Sequence, residues 1–341
     1  MSPKSLNAIR THKILSKKIT NNKVKNFYRV FDKKLDISSN FAVAVSGGPD
    51  SLALAYLSKI YSIKKKLKIK YLIVDHKLRK NSTNEAKNIK RILKNMGVEP
   101  EILSWNGKKP KTNIQAMARK KRYELLYNYC KKNKINNLLL GHHSDDLYEN
   151  FFIRLVRGSG LKGLTSLSNK NQINGINLIR PLLDFNKSDL IYISKYVFNF
   201  YVLDPSNKDT SYTRVRVRNF IENLKGEGFD KAKLALTINN LKRSNETLEF
   251  YVRKNKKFNS YLNKKKREII LSEKFFKQPY EVIFRSLALC IKEIGGKYNI
   301  VRGKKIDNIL VKIAKNTLFK ETLGGCIIKK LNQTVIISKE Y

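Results

Sequence analysis

A chain of 341 residues with 41% hydrophobic side chains can fill two or three domain cores, which excludes a disordered or fibrous protein. Its 71 Lys and Arg against 27 Asp and Glu leave a net charge of +44, which points to a polyanion such as nucleic acid, although a Lys-, Asn- and Ile-rich composition also loads lysine onto every solvated face. Three widely spaced cysteines, Cys130, Cys290 and Cys326, exclude a disulfide framework and a cysteine zinc site, and no apolar run reaches the roughly 18 residues a membrane span needs.

Residues 1–40 read as a basic extension, because MSPKSLNAIRTHKILSKKITNNK lacks the apolar region of a signal peptide. A buried strand is expected over Phe41 to Val45, breaking at Ser46, Gly47, Gly48, Pro49, Asp50 and Ser51 and re-entering as a helix. Such a turn exposes unpaired N–H groups at the positive end of a helix and suits a phosphate. Asp50 is unexpected in a phosphate nest unless Mg²⁺ sits between it and the phosphates. The loop lacks the lysine and the spacing of a P-loop NTPase.

Further strands are expected at YLIVDH (71–76), EILSW (101–105), NLLLGHH (137–143) and INLIRPLL (176–183), each followed by amphipathic sequence. Ser82 and Glu85 read as a capping box with Gly97 as the stop, and a second helix runs from about Asn113 to Lys132. In a doubly wound sheet ligands gather at the carboxyl ends of strands, where Asp75, His76, His142 and His143 fall. Asp146 and Glu149, at i and i+3 on the following helix, share a face and suit a cation. A turn-rich linker, DPSNKDTSYTRVRVRN (204–219), marks a domain boundary, with Arg214, Arg216 and Arg218 on one side of an extended segment. Residues 220–256 read as helical, and 267–341 as a mixture of helix and strand.

The loop SGGPDS (46–51) resembles that of the N-type ATP pyrophosphatases, or PP-loop proteins, which cleave ATP between its α- and β-phosphates. VDHKLR (74–79), KKRYELL (120–126), GHHSDDLYEN (141–150), RGSGLKGL (157–164), RPLL (180–183) and DPSNKDTSYTRVRVR (204–218), in that order, are similar to the tRNA-isoleucine lysidine synthase family. The resemblance implies a doubly wound parallel α/β sheet of the adenine nucleotide α-hydrolase type, with a helical linker domain and a small C-terminal α+β region. It divides the chain into the extension 1–40, a catalytic domain 41–219, a helical tRNA-binding linker 220–265 and a C-terminal tRNA-binding region 266–341.

The activity it implies is ligation of free L-lysine to C2 of the wobble cytidine in the CAU anticodon of isoleucine tRNA, through an adenylated cytidine, with AMP and pyrophosphate released. ATP and Mg²⁺ are the implied cofactors. By similarity Ser46, Gly47, Gly48, Pro49, Asp50, Ser51 and His76 bind ATP and its pyrophosphate, with Asp50 on Mg²⁺. Arg122 stabilises the α-phosphate, Asp146 and Glu149 bind lysine, one of these two carboxylates takes its proton, and Arg214, Arg216 and Arg218 bind tRNA. A cytoplasmic enzyme without a membrane partner is implied, with a homodimer left open.

Three family positions differ: Lys77 replaces a usual Gly, Asn150 a usual Thr, and Val215 a usual Asn. The rival activities are a tRNA thiolase on the same loop, which would need paired cysteines or an iron–sulfur cluster, a non-catalytic basic RNA-binding protein, and an ATP-dependent synthetase acting on a free nucleotide.

Overall fold

The computed structural model describes residues 21–78, 81–107, 112, 114–203, 209–296 and 301–340, and the chain divides into two compact units, one ending at Ala235 and one beginning at Leu236. The first unit opens with α1 (Asn22–Lys34), capped by Asn21, whose side chain accepts the N–H groups of Lys23 and Val24 at 3.0 and 3.2 Å. Val24, Tyr28 and Phe31 recur at helical spacing and are buried. Residues 1–20 of the expected extension lie outside the described residues, but Asn22–Lys34 is a core helix and no tail. The lysines on its outer face hide a narrow apolar stripe. Phe31 and Phe41 both stand edge-on to Tyr61, and the Tyr61 hydroxyl accepts the Ile37 N–H at 3.2 Å.

The remaining elements of this unit are β1 (Phe41–Ala44), α2 (Pro49–Lys64), β2 (Ile69–Asp75), α3 (Ser82–Lys94), β3 (Pro100–Ser104), α4 (Ile114–Lys132), β4 (Asn137–Leu139), α5 (Ser144–Val156), α6 (Leu161–Leu164), β5 (Lys170–Ile173), β6 (Ile176–Ile179), α7 (Lys187–Phe198) and α8 (Thr213–Leu224). The sheet order is β3-β2-β1-β4-β6-β5, parallel throughout except for β5. β1 is apolar at every position because helices cover both of its faces. The chain runs outward from β1 to β3 and then returns to β4 on the other side of β1. That reversal leaves a crevice at the carboxyl ends of β1 and β4, where doubly wound sheets bind ligands. The antiparallel edge strand β5, unforeseen in the sequence, joins β6 through Asn174 and Gly175, both at positive φ (53° and 80°) as a tight hairpin turn requires.

The second unit contains most of α9 (Lys231–Asn259), then β7 (Ser260–Asn263), β8 (Glu268–Leu271), α10 (Tyr280–Gly295), α11 (Gly303–Ala314), β9 (Lys320–Leu323), β10 (Cys326–Leu331) and β11 (Thr334–Lys339). Its antiparallel sheet, ordered β7-β8-β11-β10-β9, packs Ile269, Leu271, Ile328 and Ile337 against Leu287 and Ile291 of α10 and Ile306 and Ile309 of α11. This is the expected α+β region, but the internal boundaries differ from the sequence reading. A break at 265/266 would cut the β7–β8 hairpin. Asn255 of α9 is also held inside the unit, donating to the Phe275 carbonyl and the Ser286 hydroxyl. At the other end the division falls after 235 instead of 219, because α8 is pinned to α5 of the first unit through Arg218–Glu149 and Phe220–Phe152.

Candidate active site

The turn after β1 takes its shape from its own hydroxyls. Ser51 Oγ accepts the Ser46 N–H (3.1 Å) and the Ser46 hydroxyl (3.2 Å) and donates to the Gly48 carbonyl (3.0 Å). Gly47 lies at φ +85°, and a Cβ there would come within 2.4 Å of Ile89. Pro49 takes the first helical position, where no N–H is required, and its carbonyl accepts from Ser194 of α7 at 2.7 Å. Among the described residues no side chain caps this helix, so its first-turn N–H groups are available to an anion. Ser46 is exposed, whereas the Ser51 hydroxyl braces the loop. The turn after β4 lies against it: a Cβ on Gly141 would sit 3.2 Å from the backbone of Asp50 and Ser51.

Asp50 points into this crevice. Lys187 Nζ donates to both of its oxygens, at 2.8 and 2.7 Å, and His143 Nε2 is 3.8 Å away. Sequence reasoning missed Lys187, since one lysine among 71 basic residues carries no signal. At the end of β2, His76 Nε2 accepts from Arg122 Nε of α4 at 3.4 Å, with Nη2 at 3.2 Å. Two residues assigned to ATP from separate motifs are thus neighbours.

The preceding residue, Asp75, is only 2% exposed and ties β2 to the start of α3: Ser82 and Thr83 donate their hydroxyls and Lys77 its N–H, at 2.8, 2.7 and 3.0 Å. Ser82 is therefore not the expected cap of a capping box; Asn81 occupies that position, and the Ser82 hydroxyl is drawn to the buried carboxylate. Lys77 lies at φ +51°, which explains why glycine is the usual residue there. Burial pushes the Asp75 carboxyl up, but its three donors outweigh this and hold it below the usual range. Its stabilisation is present above the unfolded value and lost as pH falls through the folded one. Thr83→Val is accordingly expected to cost about 1–2 kcal/mol at pH 7 and progressively less in acid, read from urea unfolding at several pH values.

α5 carries the acidic group. His143 is its N-cap, accepting the Asp145 N–H at 3.3 Å, while Asp146 accepts the His143 N–H at 3.1 Å, a capping box with histidine in the first position. His142 is pushed by burial down to about 3, and its buried Nδ1 has no hydrogen-bond partner among the described residues. Burial raises the Asp146 carboxyl, but the neighbouring histidine rings, Arg214 and the His143 N–H together hold it low. Burial raises Glu149 above its ordinary value, and Arg218 offsets only part of this.

The arginines do not lie on an extended segment. Thr213–Leu224 is a helix, so Arg214 and Arg218 face α5 at i and i+4 while Arg216 turns away. Arg218 Nε and Nη2 both lie 2.8 Å from Glu149 Oε1, and Arg214 is 3.9 Å from Asp146. Arg216 donates to the carbonyls of Thr210 and Ser211. Alternating Arg and Val suggested a strand; burial of Val215 and Ile221 selects the helix. Two residues assigned to tRNA are therefore set opposite two assigned to lysine. Glu149 Oε2 stays buried without a hydrogen-bond partner among the described residues.

Among the described residues no three His, Cys, Asp or Glu side chains form a ready metal cage. A Mg²⁺ ion shared with substrate phosphates needs only one or two carboxylates, and Asp50 already holds a cationic group on both oxygens, so the donor set fits such an ion.

An uncapped glycine turn after the central strand, an acid in the first turn of the next helix and a sheet reversal beside them define a PP-loop nucleotide-binding protein, and the model of the PP-loop domain family matches residues 16–224. The fold is also that of the U34-tRNA thiolase NcsA from Methanococcus maripaludis, with a TM-score of 0.57 at 18% identity over 66% of this chain and 79% of that one. The tRNA(Ile)-lysidine synthase of Wolbachia pipientis wMel is 36% identical over 92% of this chain and 74% of its own length, and that of Orientia tsutsugamushi (strain Boryong) 34% identical over 88% and 69%. The chain belongs to the tRNA(Ile)-lysidine synthase family.

Proposed function

We infer that this protein is an ATP-dependent ligase that joins free L-lysine to isoleucine tRNA. The observation that carries this reading is identity of 34% or more to lysidine synthases along most of the chain. In the first half-reaction the C2 carbonyl oxygen of the wobble cytidine in a CAU anticodon attacks the α-phosphorus of ATP, the bond to the β-phosphate oxygen breaks, and pyrophosphate leaves. In the second, the lysine ε-amine attacks C2 and AMP leaves.

The loop Ser46–Ser51 holds the polyphosphate through the first-turn N–H groups of α2 and the exposed Ser46 hydroxyl. Asp50 would hold Mg²⁺, which would supply charge neutralisation for the leaving group. Arg122, beside His76, is assigned to charge at the α-phosphate. Asp146 and the unpartnered Glu149 Oε2 are assigned to the lysine ammonium, which must lose a proton from a pKa of about 10.4 before it attacks. Glu149 is the stronger base of the two, because burial raises its carboxyl, whereas the histidine rings, Arg214 and the His143 N–H hold that of Asp146 low. Arg214, Arg216 and Arg218, each partly in solvent, are assigned to tRNA phosphates within the larger field of a +44 chain. Such an enzyme works with the tRNA pool in the cytoplasm, and no described helix is long and apolar enough to cross a membrane.

The thiolase alternative lacks its chemistry among the described residues: the thiols of Cys130, Cys290 and Cys326 are all buried, and burial pushes Cys130 up to about 11 and Cys290 to about 12. Mass spectrometry of isoleucine tRNA with a CAU anticodon, after incubation with enzyme, ATP, Mg²⁺ and isotopically labelled lysine, tests the reading. Label is expected on the wobble nucleoside. Its absence with active ATP turnover would overturn the lysine assignment.

A further inference from the structure

Asp50 and Lys187 lie 137 positions apart in the chain, yet the ammonium of one holds both oxygens of the other. The contact is built into the fold. Lys187 is the first residue of α7, and α7 is fastened to the loop by the Ser194 hydroxyl on the Pro49 carbonyl at 2.7 Å. The pair nevertheless sits at the mouth of the crevice, since the Lys187 side chain is 40% exposed and that of Asp50 23%. An exposed lysine on a four-carbon stem changes partner readily, which a buried and forked arginine does not.

The two roles that meet at Asp50 conflict. A carboxylate with both oxygens on an ammonium cannot give them to a divalent cation at the same moment, and two cations of like sign repel. The cation that yields must find another anion, and the anion that enters with the metal is a polyphosphate. We propose that Lys187 is a phosphate-binding residue of the ATP site, which exchanges Asp50 for the β- and γ-phosphates and remains with pyrophosphate as it departs. This rests on the assignment of ATP to the loop. Lys187 thus neutralises the acid of the nest in one state and the leaving group in the other. A compact ammonium with three donors suits both tasks.

The test is the equilibrium affinity of the full-length protein for inorganic pyrophosphate in EDTA, measured by calorimetry for the wild type, Lys187→Met and Lys187→Arg. The same series is repeated in an Asp50→Asn background. Loss of a charge-assisted contact is expected to weaken binding about tenfold to a hundredfold in Lys187→Met. Lys187→Arg should keep most of the affinity. The Asp50→Asn background separates contact from simple neutralisation, because removing the carboxylate removes any need for a counter-charge. If Lys187 touches phosphate, Lys187→Met still weakens binding there; if its effect vanishes, Lys187 serves only to neutralise Asp50 and the proposal is overturned. Should the wild type bind neither pyrophosphate nor ATP, the ATP assignment itself fails; wild-type binding that Lys187→Met leaves unchanged refutes Lys187 alone.

Discussion

Asp50→Ala is expected to reduce pyrophosphate release by about a thousandfold or more while leaving the affinity for tRNA nearly unchanged. Asp50 is the sole carboxylate of the turn, so on the proposed metal role its loss would deprive a divalent ion of its protein ligand there. Several kcal/mol of charge stabilisation on the leaving group is at stake, and each 1.36 kcal/mol is about tenfold in rate. Ground-state binding should behave differently. Removing a negative charge from the nest and leaving Lys187 unpaired favours polyphosphate, so the KM for ATP is expected to stay level or fall as kcat collapses. Pyrophosphate release and filter binding of tRNA, measured side by side, check both halves; retained adenylation removes the metal role from Asp50.

The second large effect concerns α5 and α8. Arg218→Ala leaves Glu149, which is 2% exposed, with neither oxygen paired, and is expected to cost about 2–3 kcal/mol of folding stability at pH 7. The pH dependence gives a distinctive sign. Burial already holds the folded Glu149 carboxyl above its ordinary value, so the folded state binds the proton more tightly than the unfolded one, and stability falls as pH rises through that window. Without Arg218 the window widens, so the loss should shrink in acid, where Glu149 is protonated in both proteins. Urea unfolding over a pH series from acid to pH 8 reads this directly, and a loss of equal size throughout would mean that it does not come from the buried Glu149 charge.

Glu149→Ala relieves the same burial and is expected to be milder for folding, yet it should raise the KM for lysine about tenfold or more while lysine-independent pyrophosphate release continues. Equal damage to both half-reactions would make Glu149 a structural partner of Arg218 and no part of a lysine site.

The central sheet was legible in the sequence because parallel strands covered on both faces must be continuous apolar runs, and Phe41, Tyr71 and Leu138 announce theirs. The loop was legible because only a few residue types tolerate such a turn. What escaped did so for physical reasons. The edge strand Lys170–Ile173 is polar but for its isoleucine and reads as a loop without its partner. The helix Asn22–Lys34 buries three side chains beneath a lysine surface, and Thr213–Leu224 alternates like a strand until α5 supplies something to pack on. Lys187 and the Arg218–Glu149 pair are long-range contacts between residues with no local pattern, which one sequence cannot pair.

The sealed thiols give each unit its own stopwatch. Cys130 lies in the first compact unit and Cys290 and Cys326 in the second, all three closed to solvent. An alkylating reagent can reach them only when the surrounding structure opens, so the labelling rate of each cysteine reports the free energy of that opening. With peptide mass mapping to tell the sites apart, one native-state experiment times the breathing of both units without any engineered probe. Repeated with ATP or tRNA present, it reveals which unit each ligand steadies.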